Sequence, residues 1–167
     1  VTLGNNHVQE LYPILLETMQ LCTEQIISLK SNLNSDITEI ITMAYYKKLS
    51  SGRNLALGAL IKFISNAPDS VKDHNLDKMI CMLLLVCASV SEDDYERKEI
   101  VCQLQALQCL SLIVEHCSTH AKSKQHIVNK GCQKSVVQYL SNASIDSPFF
   151  HVRQAAVKVL NQWSILA

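Results

Sequence analysis

Apolar residues recur along this chain at the spacing of an α-helix, and one pattern of four positions appears three times at intervals of fifty residues. Each copy occupies positions a, a+1, a+4 and a+7, which lie along one side of a helix. The first position is alanine in every copy, which lets a neighbouring helix approach closely. The pattern therefore predicts a repeat of stacked helices. Its copies are Ala56, Leu57, Leu60 and Phe63; Ala106, Leu107, Leu110 and Ile113; and Ala156, Val157, Leu160 and Trp163.

The apolar spacing and the turn residues between apolar segments predict seven or eight helices and no strand. Pro13 is expected to interrupt the first helix, with a short turn before it and a long helix after it. Ser51 and Gly52 are expected to end the second helix, Pro68 is expected to end the third, and residues 141–148 are expected to form a connection. The predicted helices are residues 8–30, 36–50, 53–66, 75–90, 97–118, 122–129, 133–140 and 149–166.

Composition agrees with an all-α fold. The 167 residues are 48% apolar but only 5% aromatic, and they include just four Gly and three Pro. An all-β sandwich or barrel would need more turn residues and more alternation of apolar and polar positions. We expect one domain over residues 1–167, built from units at about 1–67, 68–119 and 120–167. Because the sequence begins without Met and stops within an apolar helical pattern, it is expected to be a piece of a longer protein.

The cysteines indicate a reducing compartment. There are seven, an odd number, with no C-x-x-C pair and no signal-peptide pattern before them. Cys81, Cys87 and Cys117 fall on apolar positions, where a free thiol packs as a small hydrophobic group. The longest apolar run, Met79 to Val90, is well short of the roughly 20 residues that span a bilayer. A cytoplasmic protein with no membrane span is therefore expected.

Charge is unevenly distributed, although the chain is neutral overall. Residues 1–119 hold nine Lys or Arg against fourteen Asp or Glu, whereas residues 120–167 hold six against one. Such asymmetry steers an acidic partner to the C-terminal end or aligns copies head to tail. A solvated loop and ordinary polar helix faces are the alternative interpretation. The C-terminal basic residues are Lys122, Lys124, Lys130, Lys134, Arg153 and Lys158.

The C-terminal segment resembles an armadillo repeat over residues 121–166. It contains Ile127-Val128-Asn129-Lys130-Gly131, then Val136-Val137-Gln138-Tyr139-Leu140, then Val152-Arg153-Gln154-Ala155-Ala156-Val157-Lys158-Val159-Leu160. In that family a short first helix ends at a Gly that permits a sharp corner. The two earlier units keep the third-helix pattern but lack this Gly, so HEAT-like units of two helices remain an alternative there.

The resemblance implies a right-handed helical solenoid of about three repeats that binds a helix or an extended peptide in a groove lined by the third helices. The Trp and Asn that nuclear-import receptors carry in this groove are absent. The residues at those positions are Gly58, Lys62, Gln108, Leu112, Lys158 and Gln162. With Arg153, they are the candidate partner-binding residues.

No sequence feature indicates catalysis. His116, Cys117 and His120 form H-C-x-x-H, but Cys117 is assigned to the apolar face, and no second Cys or His pair lies at zinc-ligand spacing. Phosphate-binding and hydrolase motifs are absent. Cys132, next to Gly131, is the one cysteine suitably placed for a nucleophile. We therefore expect no enzyme activity, no cofactor and no metal.

The sequence as a whole favours a protein-interaction scaffold or adaptor. A cytoskeletal or centrosomal assembly is one setting for such a protein. Two alternatives stay open. One is nucleic-acid binding by the six C-terminal basic residues, whose affinity would fall steeply with salt. The other is head-to-tail self-association through the ends of the helical array.

Overall fold

A computed structural model describes residues 5–31, 38–73, 76–90 and 97–166 of the chain. These residues form eight α-helices and no strand, which confirms the all-α prediction for the described ranges. The helices are α1 (Asn5–Ser31), α2 (Thr38–Asn66), α3 (Asp69–Asp73), α4 (Leu76–Ala88), α5 (Arg97–Thr119), α6 (Ala121–Asn129), α7 (Cys132–Asp146) and α8 (Phe150–Ser164). The charged stretch at residues 91–96 lies outside the described ranges.

The six longer helices pack in two rows of three. In one row α1 packs against α4, and α4 against α7; in the other α2 packs against α5, and α5 against α8. Pairs α1–α2, α4–α5 and α7–α8 connect the rows. The short helix α6 packs against α5 and α7. Helix α5 therefore lies at the centre, which explains the burial of most of its apolar side chains.

The alanines of the fifty-residue pattern lie in the core, as predicted. Ala56, Ala106 and Ala156 are all buried in one apolar cluster that extends through both rows. Trp163, also buried, donates a hydrogen bond from Nε1 to the carbonyl of Leu110 at 3.0 Å. This bond connects α8 to α5, so the third copy of the pattern holds the second row together.

Helix α1 runs through Pro13 without a break, so the predicted interruption is wrong. Proline removes one backbone hydrogen bond and costs about 3 kcal/mol within a helix. Tyr12 and Met19, on either side of that turn, are both buried in the main apolar cluster, and Pro13 itself is exposed. Burial of one continuous helix face outweighs the local cost.

The predicted break at Ser51 and Gly52 is also wrong, because α2 continues from Thr38 to Asn66. The reason is a buried polar cluster that needs one uninterrupted helix. Tyr46 and Ser50, one turn apart on α2, donate hydrogen bonds to Glu99 Oε1 of α5 at 2.8 and 3.0 Å. Arg53, a further turn along, donates to both oxygens of Glu99 at 2.7 and 2.8 Å.

Three smaller differences follow from packing. Residues 141–146, expected in a connection, belong to α7, where Ser141 donates to the carbonyl of Val137. The unpredicted helix α3 follows Pro68 and buries Val71 beside Ala67. Cys81, expected in the core, is exposed. The corner at Gly131 is confirmed, since its φ of 71° lies in the left-handed region that favours glycine.

Helix α5 is long and apolar enough to cross a membrane by length and composition alone. The segment is Glu99–Thr119, 21 residues with a mean hydropathy of 1.3, of which half is buried inside the protein. The central helix of a globular core passes the same test, so this segment is a weak indication of membrane insertion.

Candidate functional site

The residues predicted to bind a partner lie on the three helices of the second row. Lys62 on α2, Gln108 on α5 and Lys158 on α8 are exposed. The other three residues of the predicted groove, one on each of these helices, are half-buried: Gly58, Leu112 and Gln162. The structure thus places exposed donor groups on neighbouring helices. We call Lys62, Gln108 and Lys158 the second-row face.

Two of the half-buried residues lie where the helices of this row meet. The hydroxyl of Ser111 donates to Gln162 Oε1 at 2.9 Å, and Gln162 Nε2 donates to Glu115 Oε1 at 3.4 Å, which connects α5 with α8. A Cβ atom added to Gly58 would lie 3.6 Å from Gln105 Nε2. Gln162 and Gly58 therefore help to space the helices, while the exposed residues remain available to a ligand.

Arg153 has a structural role at the corner between α7 and α8. Its Nη1 donates to the carbonyl of Ser147 at 2.6 Å, and its guanidinium lies 6.0 Å from the centre of the Phe150 ring. The side chain is half-buried. We therefore do not include Arg153 in the second-row face, although the sequence placed it among the candidates.

The C-terminal basic residues are spread over several elements. Lys122 and Lys124 belong to α6, Lys130 follows it, Lys134 is in α7 and Lys158 is in α8. All of these lysines are exposed except Lys124, which is half-buried. They therefore do not form a single stripe along one helix.

Between α1 and α4 the structure contains a groove that sequence reasoning missed. Its volume is about 510 Å³, and its lining includes Tyr12, Leu16, Cys81, Met82 and Leu85. Burial raises the pKa of Tyr12, and its buried hydroxyl has no hydrogen-bond partner among the described residues. The sequence did not reveal this groove because its walls come from α1 and α4, which are far apart in the chain.

The buried cysteines are poorly placed for nucleophilic catalysis. Burial raises the pKa of Cys87 to about 11, and that of Cys102 and Cys117 to about 12. Cys132, the one predicted nucleophile candidate, is buried, and burial raises its pKa as well. A reactive cysteine needs an accessible thiolate, so the interpretation of Cys132 as a nucleophile candidate is corrected.

Cys81 should be the fastest thiol to react with a charged alkylating reagent under native conditions. Its side chain is exposed, that of Cys22 is half-buried, and the other five cysteines are buried. Mass spectrometry during a labelling time course should show one rapid addition, followed by a slower one at Cys22. The rapid addition should disappear in Cys81→Ser; rapid labelling of several thiols would contradict the packing of the core.

The three residues of the H-C-x-x-H motif do not lie together in the structure. Cys117 is fully buried in the apolar core, whereas His116 and His120 face Asp69 of α3. Sequence reasoning missed Asp69 because it precedes these histidines by about fifty residues and lies in a five-residue helix.

Comparisons of the chain with protein-family models, with curated proteins and with solved structures found no match.

Proposed function

We propose that this chain is a non-enzymatic protein-interaction scaffold, in which the second-row face binds a helix or an extended, acidic segment of a partner protein. The observation that carries the proposal is the exposure of Lys62, Gln108 and Lys158 on three helices packed side by side. Two ammonium groups and an amide along one row present donors to carboxylates and to an extended backbone.

The order of the helices supports an armadillo-like solenoid as the framework of this face. After the pair α1–α2, the chain twice forms a short helix followed by two longer ones: α3–α4–α5 and α6–α7–α8. The boundaries between these groups fall near residues 67 and 120, and Gly131 forms the corner between α6 and α7. Stacked units of this kind create extended binding surfaces.

The seven free cysteines support a cytoplasmic location, with a cytoskeletal or centrosomal assembly as one setting. Burial of five of them also supports a binding role over a catalytic one, because buried thiols with raised pKa values are poor nucleophiles at neutral pH. The proposed partner is therefore a protein in a reducing compartment.

The variant Lys62→Glu/Lys158→Glu should lose its partner while it keeps its helical circular-dichroism signal. Two attractive contacts become repulsive, so we expect recovery in affinity capture to fall about tenfold or more. Quantitative mass spectrometry of proteins retained by each bait is the measurement. Both lysines are exposed, and surface changes of this kind cost within about 0.5 kcal/mol of stability.

The matched control is Lys122→Glu/Lys134→Glu, which makes the same charge change at two exposed lysines outside the second row. Retention by this control and loss by the first variant would place the binding site on the second-row face. Equal loss from both would favour a long-range charge effect. Nuclease-sensitive recovery that only the control loses would favour nucleic acid instead.

A further inference from the structure

A cluster of two histidines and two aspartates joins α3 to the end of α5. His116 lies in the last turn of α5, His120 lies between α5 and α6, and their rings stack with centres 4.2 Å apart. Asp69 lies opposite both: its Oδ1 is 3.5 Å from His116 Nδ1, and its Oδ2 is 3.1 Å from His120 Nε2. One carboxylate thus faces one nitrogen of each imidazole.

The other nitrogen of each imidazole is held by an acceptor. His116 Nε2 donates to Asp73 Oδ1 at 2.7 Å, and the hydroxyl of Ser123 donates to the same oxygen. His120 Nδ1 donates to the backbone carbonyl of His116 at 2.9 Å. His120 Nδ1 also lies 2.9 Å from the Thr119 hydroxyl, and His120 Nε2 lies 3.1 Å from Asp69 Oδ2. In the tautomer with the proton on Nδ1, both nitrogens that face away from Asp69, the outer nitrogens, donate to an acceptor.

In that tautomer the inner nitrogens, His116 Nδ1 and His120 Nε2, direct lone pairs toward the Asp69 carboxylate. A cation between these three electron-rich groups is attracted by all of them and replaces the contact of Asp69 Oδ1 with Lys72 Nζ. Metal-binding histidines have this arrangement, in which the outer N–H donates to a carboxylate or a backbone carbonyl and fixes the tautomer and ring orientation.

We propose that Asp69, His116 and His120 bind a divalent transition-metal ion of the zinc class, with Asp73 as a positioning residue behind His116. Zinc ligands at about 2.0–2.1 Å lie about 3.4 Å apart in a tetrahedron. Each histidine nitrogen lies near that distance from one oxygen of Asp69, His116 Nδ1 3.5 Å from Oδ1 and His120 Nε2 3.1 Å from Oδ2. One ligand atom from each residue lies within 4.8 Å of the others, so a small rotation of the exposed ring closes the site.

The donor set selects among cations. Two imidazoles and one carboxylate suit zinc, nickel or copper, whereas magnesium and calcium prefer oxygen ligands. His116 is buried, but the side chains of His120 and Asp69 are 36% and 54% exposed, so an ion and a fourth ligand from water can enter. Lys72 competes with the ion for Asp69, because its Nζ lies 3.2 Å from Asp69 Oδ1. This contact must break when the ion binds.

The test is calorimetric titration of the whole chain with Zn²⁺, and absorption spectroscopy with Co²⁺, in a Cys81→Ser background that removes the exposed thiol. We expect one ion per chain and no heat with Mg²⁺. His120→Asn and Asp69→Asn alter exposed side chains, so the fold should persist while affinity falls at least about tenfold. Asp73→Asn should weaken binding about 10–100-fold and change the cobalt spectrum.

The matched control is His126→Asn. His126 Nε2 lies 3.7 Å from Asp77 Oδ1 and its side chain is 42% exposed, so it forms a histidine–aspartate contact away from the proposed ligands. Zinc affinity should be unchanged in this variant. Absence of one-site binding, or equal affinity in His120→Asn, Asp69→Asn and the parent, would overturn the proposal and leave Lys72 as the cation beside Asp69.

Discussion

Replacing Arg53 with alanine should destabilise the protein by about 3–5 kcal/mol, because it leaves a carboxylate buried without its counter-ion. The side chains of Arg53 and Glu99 are both 0% exposed and meet at 2.7 Å. Arg53 also donates from Nη1 to the hydroxyl of Ser89 at 2.8 Å. The hydroxyls of Tyr46 and Ser50 still donate to Glu99 in the variant, but neither supplies a positive charge.

Urea denaturation followed by the helical circular-dichroism signal measures this loss. Total stability of a domain is about 5–15 kcal/mol, so Arg53→Ala can fall close to the unfolding threshold. The double variant Arg53→Met/Glu99→Leu removes both charges and should recover most of the loss, since apolar replacement of a buried pair is often nearly neutral. Lys62→Ala is the exposed control. A loss below about 1 kcal/mol in Arg53→Ala would show that water reaches Glu99.

The helices that the sequence predicts correctly are those whose burial follows one clear period. Ala56, Ala106 and Ala156 recur at fixed spacing, and all three are buried. Pro13 and Gly52 carry strong local signals for a break, yet both lie inside helices. A proline or glycine indicates only the free-energy cost of helix at its own position. This cost is outweighed by the contacts of Tyr12 and by the Arg53–Glu99 pair. Both connect segments that are far apart in the chain, so they cannot be seen in the local sequence.

Val157 shows how position in the array changes a repeated pattern. It corresponds to Leu57 and Leu107, which are 0% and 1% exposed, but Val157 itself is 46% exposed. Helices α2 and α5 are each followed by another helix in the second row, and α8 is the last helix of that row in the described ranges. The same sequence position therefore faces a neighbour in two helices and solvent in the third.

The candidate sites differ in how far the sequence could predict them. The register of the repeat predicts the exposure of Lys62, Gln108 and Lys158 only in part, because Gly58, Leu112 and Gln162 occupy the equivalent positions in the other copies and are half-buried. The pairing of Asp69 with the two histidines could not be predicted, since it depends on α3, which is too short to show a helical period. Likewise, only the folded corner reveals that Arg153 is engaged by Ser147.

Trp163→Ala should cost about 3–5 kcal/mol, the range for removal of a large buried aromatic side chain. Trp163 is fully buried among residues of the main apolar cluster, and its indole hydrogen bond to Leu110 connects α8 to α5. Loss of the side chain should leave a cavity between two helices that pack against each other. Chemical denaturation followed by circular dichroism is the measurement, because the variant lacks the chain's only tryptophan.

The variant Trp163→Phe separates the contribution of apolar packing from that of the indole hydrogen bond. It keeps most of the apolar volume and removes the indole donor, so we expect a smaller loss than for alanine, including about 0.5–1.5 kcal/mol from the hydrogen bond. Phe150→Ala is the matched control, because Phe150 also belongs to α8 but is mostly exposed. Similar stability of Trp163→Ala and Phe150→Ala would contradict the packing of α8 on α5. Since Lys158 lies on α8, partner capture by Trp163→Ala should weaken with stability, whereas Phe150→Ala should retain both.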